Sequence, residues 1–148
     1  MEYRRATSND IEAFVQNRIE FFTSIRNIPD VGAFEKNTKK YLTDNIDSDA
    51  VIFIAVENGK IVSSCMACIF QTAPLHGCLN GKNAELLNVY TKEAFRRKGH
   101  VKKLLELLID ELKYLEVEKV LLEYTSDGLS LYEKMGFVLL QNQMQLYL

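Results

Sequence analysis

Apolar residues recur at a spacing of three to four over Ile11, Phe14, Val15, Ile19, Phe22 and Ile25, which predicts a first helix. Thr7 and Asp10 stand just ahead of it at capping-box spacing. Asn27 to Pro29 breaks the stripe, and Val31, Phe34, Thr38, Tyr41 and Leu42 restart it as a second helix. From Val51 to Val56 the pattern becomes a continuous β-branched run, too short for a helix and suited to a buried strand. Asn58-Gly59 supplies the positive φ angles of a tight hairpin, so Ile61 to Thr72 is expected to return as its partner.

A loop from Ala73 to Lys82 leads into a strand over Ala84 to Thr91. Gly99 then opens a helix whose inward stripe is Val101, Leu104, Leu105, Leu108, Leu112 and Leu115. Val120 to Tyr124 is expected as a strand, followed by a short helix capped by Ser126 or Asp127 and stopped by Gly136. Phe137 to Leu140 and an alternating tail, with Met144, Leu146 and Leu148 on one face, complete the order β, α, α, β, β, β, α, β, α, β, β. Hairpins combined with one strand-helix-strand crossover imply an α+β domain with a mixed sheet of about six to seven strands and about four helices.

The chain has 148 residues, 47% of them apolar, which fits a single domain over residues 1–148. No apolar run approaches the roughly 20 residues that span a bilayer and no leader pattern is seen, so no membrane is expected and the cytoplasm is the default location. Cys65, Cys68 and Cys78 are odd in number, against a disulfide framework. Cys65 and Cys68 are three apart in a strand and point to opposite faces, so no metal site is expected of them. The net charge of -2 disfavours a nucleic-acid partner.

Charge becomes informative locally. Lys92 to Lys103 holds six Lys or Arg and a single acid, with Gly99 at a helix start in its middle. Unpaired N–H groups, the positive end of a helix dipole and flexible cations coincide there, the combination that binds phosphate. An ordinary basic helix terminus would carry the same charge. Neither Gly-x-Gly-x-x-Gly nor Gly-Lys-Ser/Thr is present, so a phosphate site of a third kind is required.

The segment Glu85-Leu86-Leu87-Asn88-Val89-Tyr90-Thr91-Lys92-Glu93-Ala94-Phe95-Arg96-Arg97-Lys98-Gly99 closely resembles the acetyl-CoA motif of the GNAT acetyltransferases, and Ser130-Leu131-Tyr132-Glu133-Lys134-Met135-Gly136-Phe137 resembles the family's second signature. The resemblance implies an N-acetyltransferase that uses acetyl-CoA as cosubstrate on a small-molecule or peptide amine, and it is compatible with a homodimer. Arg96 and Gly99 match the phosphate loop, so Arg97, Lys98, Gly99, His100, Val101 and Lys102 would cradle the pyrophosphate. Val89, Tyr90 and Thr91 would bind the pantetheine arm through main chain.

Tyr132 matches the tyrosine that protonates the departing thiolate, and Glu85 leads Glu123 as the general base. Thr125 occupies the approximate place of a cofactor-holding Asn. The sequence departs from the family pattern at Val101, where Gly or Ala is usual, and at His100, where an aliphatic is usual. These departures motivate the alternative of a non-catalytic acyl-CoA-binding or protein-interaction module. Acceptor choice is expected from the two N-terminal helices and the loop from Ala73 to Lys82.

Overall fold

The computed structural model describes residues 1–148. In chain order the elements are β1 (Glu2–Arg5), α1 (Ile11–Ile25), α2 (Val31–Asn45), β2 (Ala50–Glu57), β3 (Lys60–Gln71), β4 (Lys82–Thr91), α3 (His100–Tyr114), β5 (Lys119–Leu122) and α4 (Leu129–Lys134). The five strands form one sheet in sequence order. The first three pairings are antiparallel and β4 with β5 is parallel, across the α3 crossover.

The capping box forms, with the Asp10 carboxylate accepting from the Thr7 backbone N–H at 2.8 Å. Arg4 reaches the same carboxylate from β1 at 2.7 and 2.8 Å, which welds the first strand to the helix start and pulls the Asp10 carboxyl down to about 2. Asp30 caps α2 by accepting from Ala33 N–H at 2.9 Å. Asn58 and Gly59 turn the β2–β3 hairpin with φ of 49° and 74°.

The sheet divides the core in two. Leu104, Leu105, Leu108 and Leu112 of α3 pack on the face that carries Phe53, Cys65, Ala84 and Leu86. Phe14 and Val15 of α1 and Leu42 of α2 pack on the other, against Ile52, Ile54, Met66 and Cys68. Cys65 and Cys68 thus lie on opposite faces, as their spacing requires. No helix is long and apolar enough to cross a membrane.

Two expectations need correction. The sheet has five strands rather than six to seven, because Phe137 to Leu140 and the alternating tail pair with nothing. Alternation makes a segment able to be a strand, but only an available partner makes it one. The last helix is capped by Gly128 rather than by Ser126 or Asp127, since a backbone turn from Thr125 O to Gly128 N comes first. The loop from Ala73 to Lys82 is fastened to the start of β5, where Asn80 bonds Glu116 and Glu118, at the end of β4 away from the strand's open edge.

Candidate active site

β4 and β5 pair only from Asn83 with Lys119 to Leu86 with Leu122. Beyond that point β4 runs on to Thr91 while β5 has ended, so the edge of residues 87–91 that faces away from β3 has no strand beside it. A bulge helps to turn it: Met66 opposes Leu87 and Ser64 opposes Tyr90, so Asn88 and Val89 share the place opposite Cys65. Asn88 takes φ of 52°, a left-handed conformation that Asn tolerates better than most side chains.

Its amide is buried and donates to Ser64 Oγ at 3.0 Å and to Asn17 Oδ1 at 3.1 Å, while Ser64 donates to Asn17 at 2.7 Å. One polar cluster therefore ties α1 to the kinked strand. Asn17 Nδ2 and Asn88 Oδ1 are left without partners, so the cluster is held by the three bonds named.

At the C-terminal end of β4 the chain turns through Glu93–Phe95 into the basic loop. Arg97 and Gly99 have φ of 61° and 80°. From Arg97 through Lys102 no main-chain N–H donates to a protein carbonyl, and the first helical bond is Lys103 N–H to Gly99 O at 3.1 Å. A Cβ on Gly99 would meet no protein atom within 4 Å, so glycine serves the backbone angle and leaves open room before these donors.

A cleft of about 500 Å³ lies there, lined among others by Val89, Tyr90, Thr91, Arg96, Arg97, Gly99, His100, Val101 and Lys102. All the residues expected to hold a cofactor line it except Lys98, whose ammonium sits over the Phe95 ring at 5.3 Å. Arg96 Nε donates to Thr91 O at 3.0 Å and braces the loop. The Tyr90 side chain turns inward to α1, where its hydroxyl donates to Glu20 at 2.8 Å, and its carbonyl accepts from Ser63 Oγ of β3 at 3.1 Å.

His100 is buried beneath the cleft, its Nδ1 2.6 Å from the Tyr3 hydroxyl and its Nε2 without a partner. Val101 is half-buried against the α3 side of the core and also lines the cleft.

A second chamber of about 300 Å³ opens between the diverging strands and includes Glu85, Leu87, Asn88, Val89, Glu123 and Tyr132. Val89, Thr125 and Tyr132 line both chambers, so the two communicate there. Burial pushes the Tyr132 phenol up to about 12 and keeps it protonated. Glu85 is half-buried and Glu123 is exposed.

Sequence reasoning missed Asn17, Ser64 and Asn88, because isolated polar residues in apolar runs do not announce one another. It also missed Arg18, although a signal was present. Arg18 occupies a position of the α1 stripe between Phe14 and Phe22 that periodicity assigns to the interior, and it is only 9% exposed.

The sequence signature of the acetyltransferase (GNAT) family matches residues 11–137. Among solved structures, a predicted acetyltransferase with acetyl-CoA from Clostridium acetobutylicum superposes with a TM-score of 0.91 at 24% identity, over 99% of this chain and 95% of that one. A GCN5-related N-acetyltransferase from Ralstonia eutropha JMP134 gives 0.87 at 20% identity, over 99% and 97%. Glucosamine-6-phosphate N-acetyltransferase from Arabidopsis thaliana gives 0.73 at 24% identity, over 99% and 97%. Likeness at these identities speaks for the fold. Among curated proteins none matches the chain in sequence.

The bulge makes a measurable demand on Asn88. Asn88→Gly and Asn88→Ala both lose the amide bonds, but only alanine also resists the left-handed angle. Denaturant melts should show Asn88→Ala less stable than Asn88→Gly by about 1 kcal/mol. Equal stabilities would mean that the strand relaxes out of its bulge without strain.

Proposed function

The chain belongs to the acetyltransferase (GNAT) family, and from that premise we propose that it moves an acetyl group from acetyl-CoA directly to a primary amine of a small molecule or peptide. The observation that carries this reading is one continuous cleft that runs from the unshared N–H groups of Arg97 to Lys102, along the unpaired edge of β4, to Tyr132 and Glu85. Bound there, acetyl-CoA supplies an activated acetyl thioester.

The chain's own groups divide the remaining tasks. N–H donors at the start of α3, with Arg97 and Lys102 beside them, meet phosphate charge at the positive end of the helix dipole. The free β4 edge offers main-chain groups of Val89 and Thr91 to an amide-bearing arm, as a strand is added to a sheet. An N–H near Leu87 to Val89 faces the place where negative charge develops on the acetyl oxygen, a type of contact worth about 2.7–4 kcal/mol.

Glu85 takes the proton of the incoming amine, directly or through water, and Tyr132 gives one to the departing sulfur. A phenol pushed up to about 12 is a weaker acid than a free phenol. The same burial raises a thiolate's proton affinity, as it does for Cys65 inside this protein, so the donor and acceptor of that proton shift together. No observation favours the non-catalytic reading of the scaffold.

We also propose that two copies associate through the C-terminal tail. β5 is an edge strand with a groove of about 290 Å³ along it, lined by Val120 to Tyr124 and by Phe137 to Leu140. Val138, Leu139, Leu140, Met144, Leu146, Tyr147 and Leu148 all stand in solvent. An unpaired edge and an unpaired alternating segment on one chain are complementary to those of a second copy. Seven such side chains on each of two tails carry on the order of 1,500 Å² of apolar surface, about what a standard stable interface buries.

Release of free coenzyme A thiol from acetyl-CoA, followed over a panel of primary amines, tests the activity. Gly99→Glu should keep the circular dichroism of the wild type and lose the thermal shift given by acetyl-CoA; an unchanged affinity would place the phosphate site elsewhere. Tyr132→Phe should bind acetyl-CoA almost normally and turn over about 100-fold to 10,000-fold more slowly. Wild-type turnover in that variant would remove Tyr132 from the catalysis. Light scattering should give twice the 17.0 kDa chain mass for the wild type and a single chain for Met144→Lys with Leu146→Lys. Equal masses for the two proteins would rule out the tail as the interface.

A further inference from the structure

Arg18 is a buried charge without a counter-charge. It projects from α1 onto the α1–α2 face of the sheet, none of its donors hydrogen-bonds to the protein, and Nε and Nη1 are fully buried without a partner. Its guanidinium lies between two rings, 5.1 Å from the centroid of Phe22 and 5.6 Å from that of Phe34. Aromatic faces hold a cation in position but accept no N–H bonds from it in the way an oxygen does. No carboxylate pairs with it, although every other close ion pair of the chain lies at the surface or at its edge.

Arg18 lines a chamber of about 390 Å³ between α2 and the sheet, together with Phe34, Tyr41, Met66, Cys68 and Leu87. None of the residues that line it is acidic. Leu87 also lines the chamber that contains Glu85 and Tyr132, and Phe22, which touches the guanidinium, lines that chamber too. Cys68 stands opposite Glu85 in the β3–β4 register and lines the chamber with Arg18, so the Glu85 side chain and the Arg18 guanidinium flank one stretch of sheet.

We propose that Arg18 is the anchor for a carboxylate on the acceptor, so that the acceptor is an amino acid or a short peptide that presents its amine past Leu87 to Glu85. This rests on the acetyltransferase reading and adds the substrate class to it. Arginine stays charged at physiological pH, and a carboxylate supplies both the missing charge and the missing acceptors. One buried cation balances a monoanion. A phosphate monoester near its second ionisation would leave charge uncompensated in the same chamber.

The test compares binding before it compares turnover. Thermal shift and calorimetry on the wild type and on Arg18→Met would use matched pairs of amines: lysine with cadaverine, histidine with histamine, tyrosine with tyramine, and O-phosphoethanolamine with ethanolamine. The wild type should bind at least one carboxylate-bearing member more tightly than its decarboxylated partner, by tenfold or more. Arg18→Met should erase that difference and leave the acetyl-CoA thermal shift unchanged. Without ligand it should melt at or above the wild-type temperature, because an unpaired buried charge has been replaced by an apolar side chain of similar length.

In coenzyme A release the same substitution should raise KM for the carboxylated amine and leave kcat within a few-fold. Three results would overturn the assignment: no carboxylate preference in the wild type, a preference that survives in Arg18→Met, or tightest binding of O-phosphoethanolamine. A lower melting temperature for Arg18→Met together with unchanged ligand binding would show that the side chain serves packing on Phe22 and Phe34 instead. Loss of the acetyl-CoA thermal shift in the wild type would strike the acetyltransferase reading itself, and amino-acid binding would still be read separately.

Discussion

The parting of β4 from β5 is the constraint on which the rest of the molecule depends. Parallel strands that remained paired to their ends would present no free main chain, and no chamber would reach the middle of the sheet. Here pairing stops at Leu86 and Leu122, and the bulge at Asn88 turns the continuing strand. Asn17 and Ser64 hold that bulge from the α1 side, so the helix layer and the open edge are one mechanical unit. This buried polar cluster sits where the backbone departs from regular pairing, and within the strands Asn88 is the one Asn with a positive φ.

Much of this was legible in the sequence, for identifiable reasons. The α3 stripe is long, strongly periodic and opened by a glycine, so a single element fixed the position of the basic loop. The hairpin at Asn58-Gly59 was equally plain, because a two-residue turn demands those residue types. The tail misled because period-two alternation describes one strand while pairing requires two. The α4 cap was displaced because Ser126 and Asp127 belong to a turn that precedes the helix.

The candidate site was legible where main chain does the work and obscure where side chains meet across the fold. Val89, Thr91 and the loop from Arg96 to Lys102 could be placed from local order alone. Arg18, Asn17 and Ser64 act over long sequence separations, and each is a single residue inside an apolar segment. His100 shows the same limit: its departure from an aliphatic makes sense only beside Tyr3, whose hydroxyl reaches it from β1. Its neighbour Val101 packs into the core while it borders the cleft, which reconciles the larger side chain with the helix start.

The two halves of the core, separated by the sheet, need not be equally durable. The α3 half gathers four fully or nearly buried leucines and Tyr132 around five strands' worth of side chains, whereas the α1–α2 half is smaller and contains an uncompensated guanidinium. Local opening follows the weakest layer, so amide protons of α1 and α2 should exchange faster than those of α3 and the central strands. Such breathing would let a ligand reach an interior that the static surface nearly closes, without loosening the loop on the opposite face. The sheet thus acts as a partition between a rigid compartment and a compliant one.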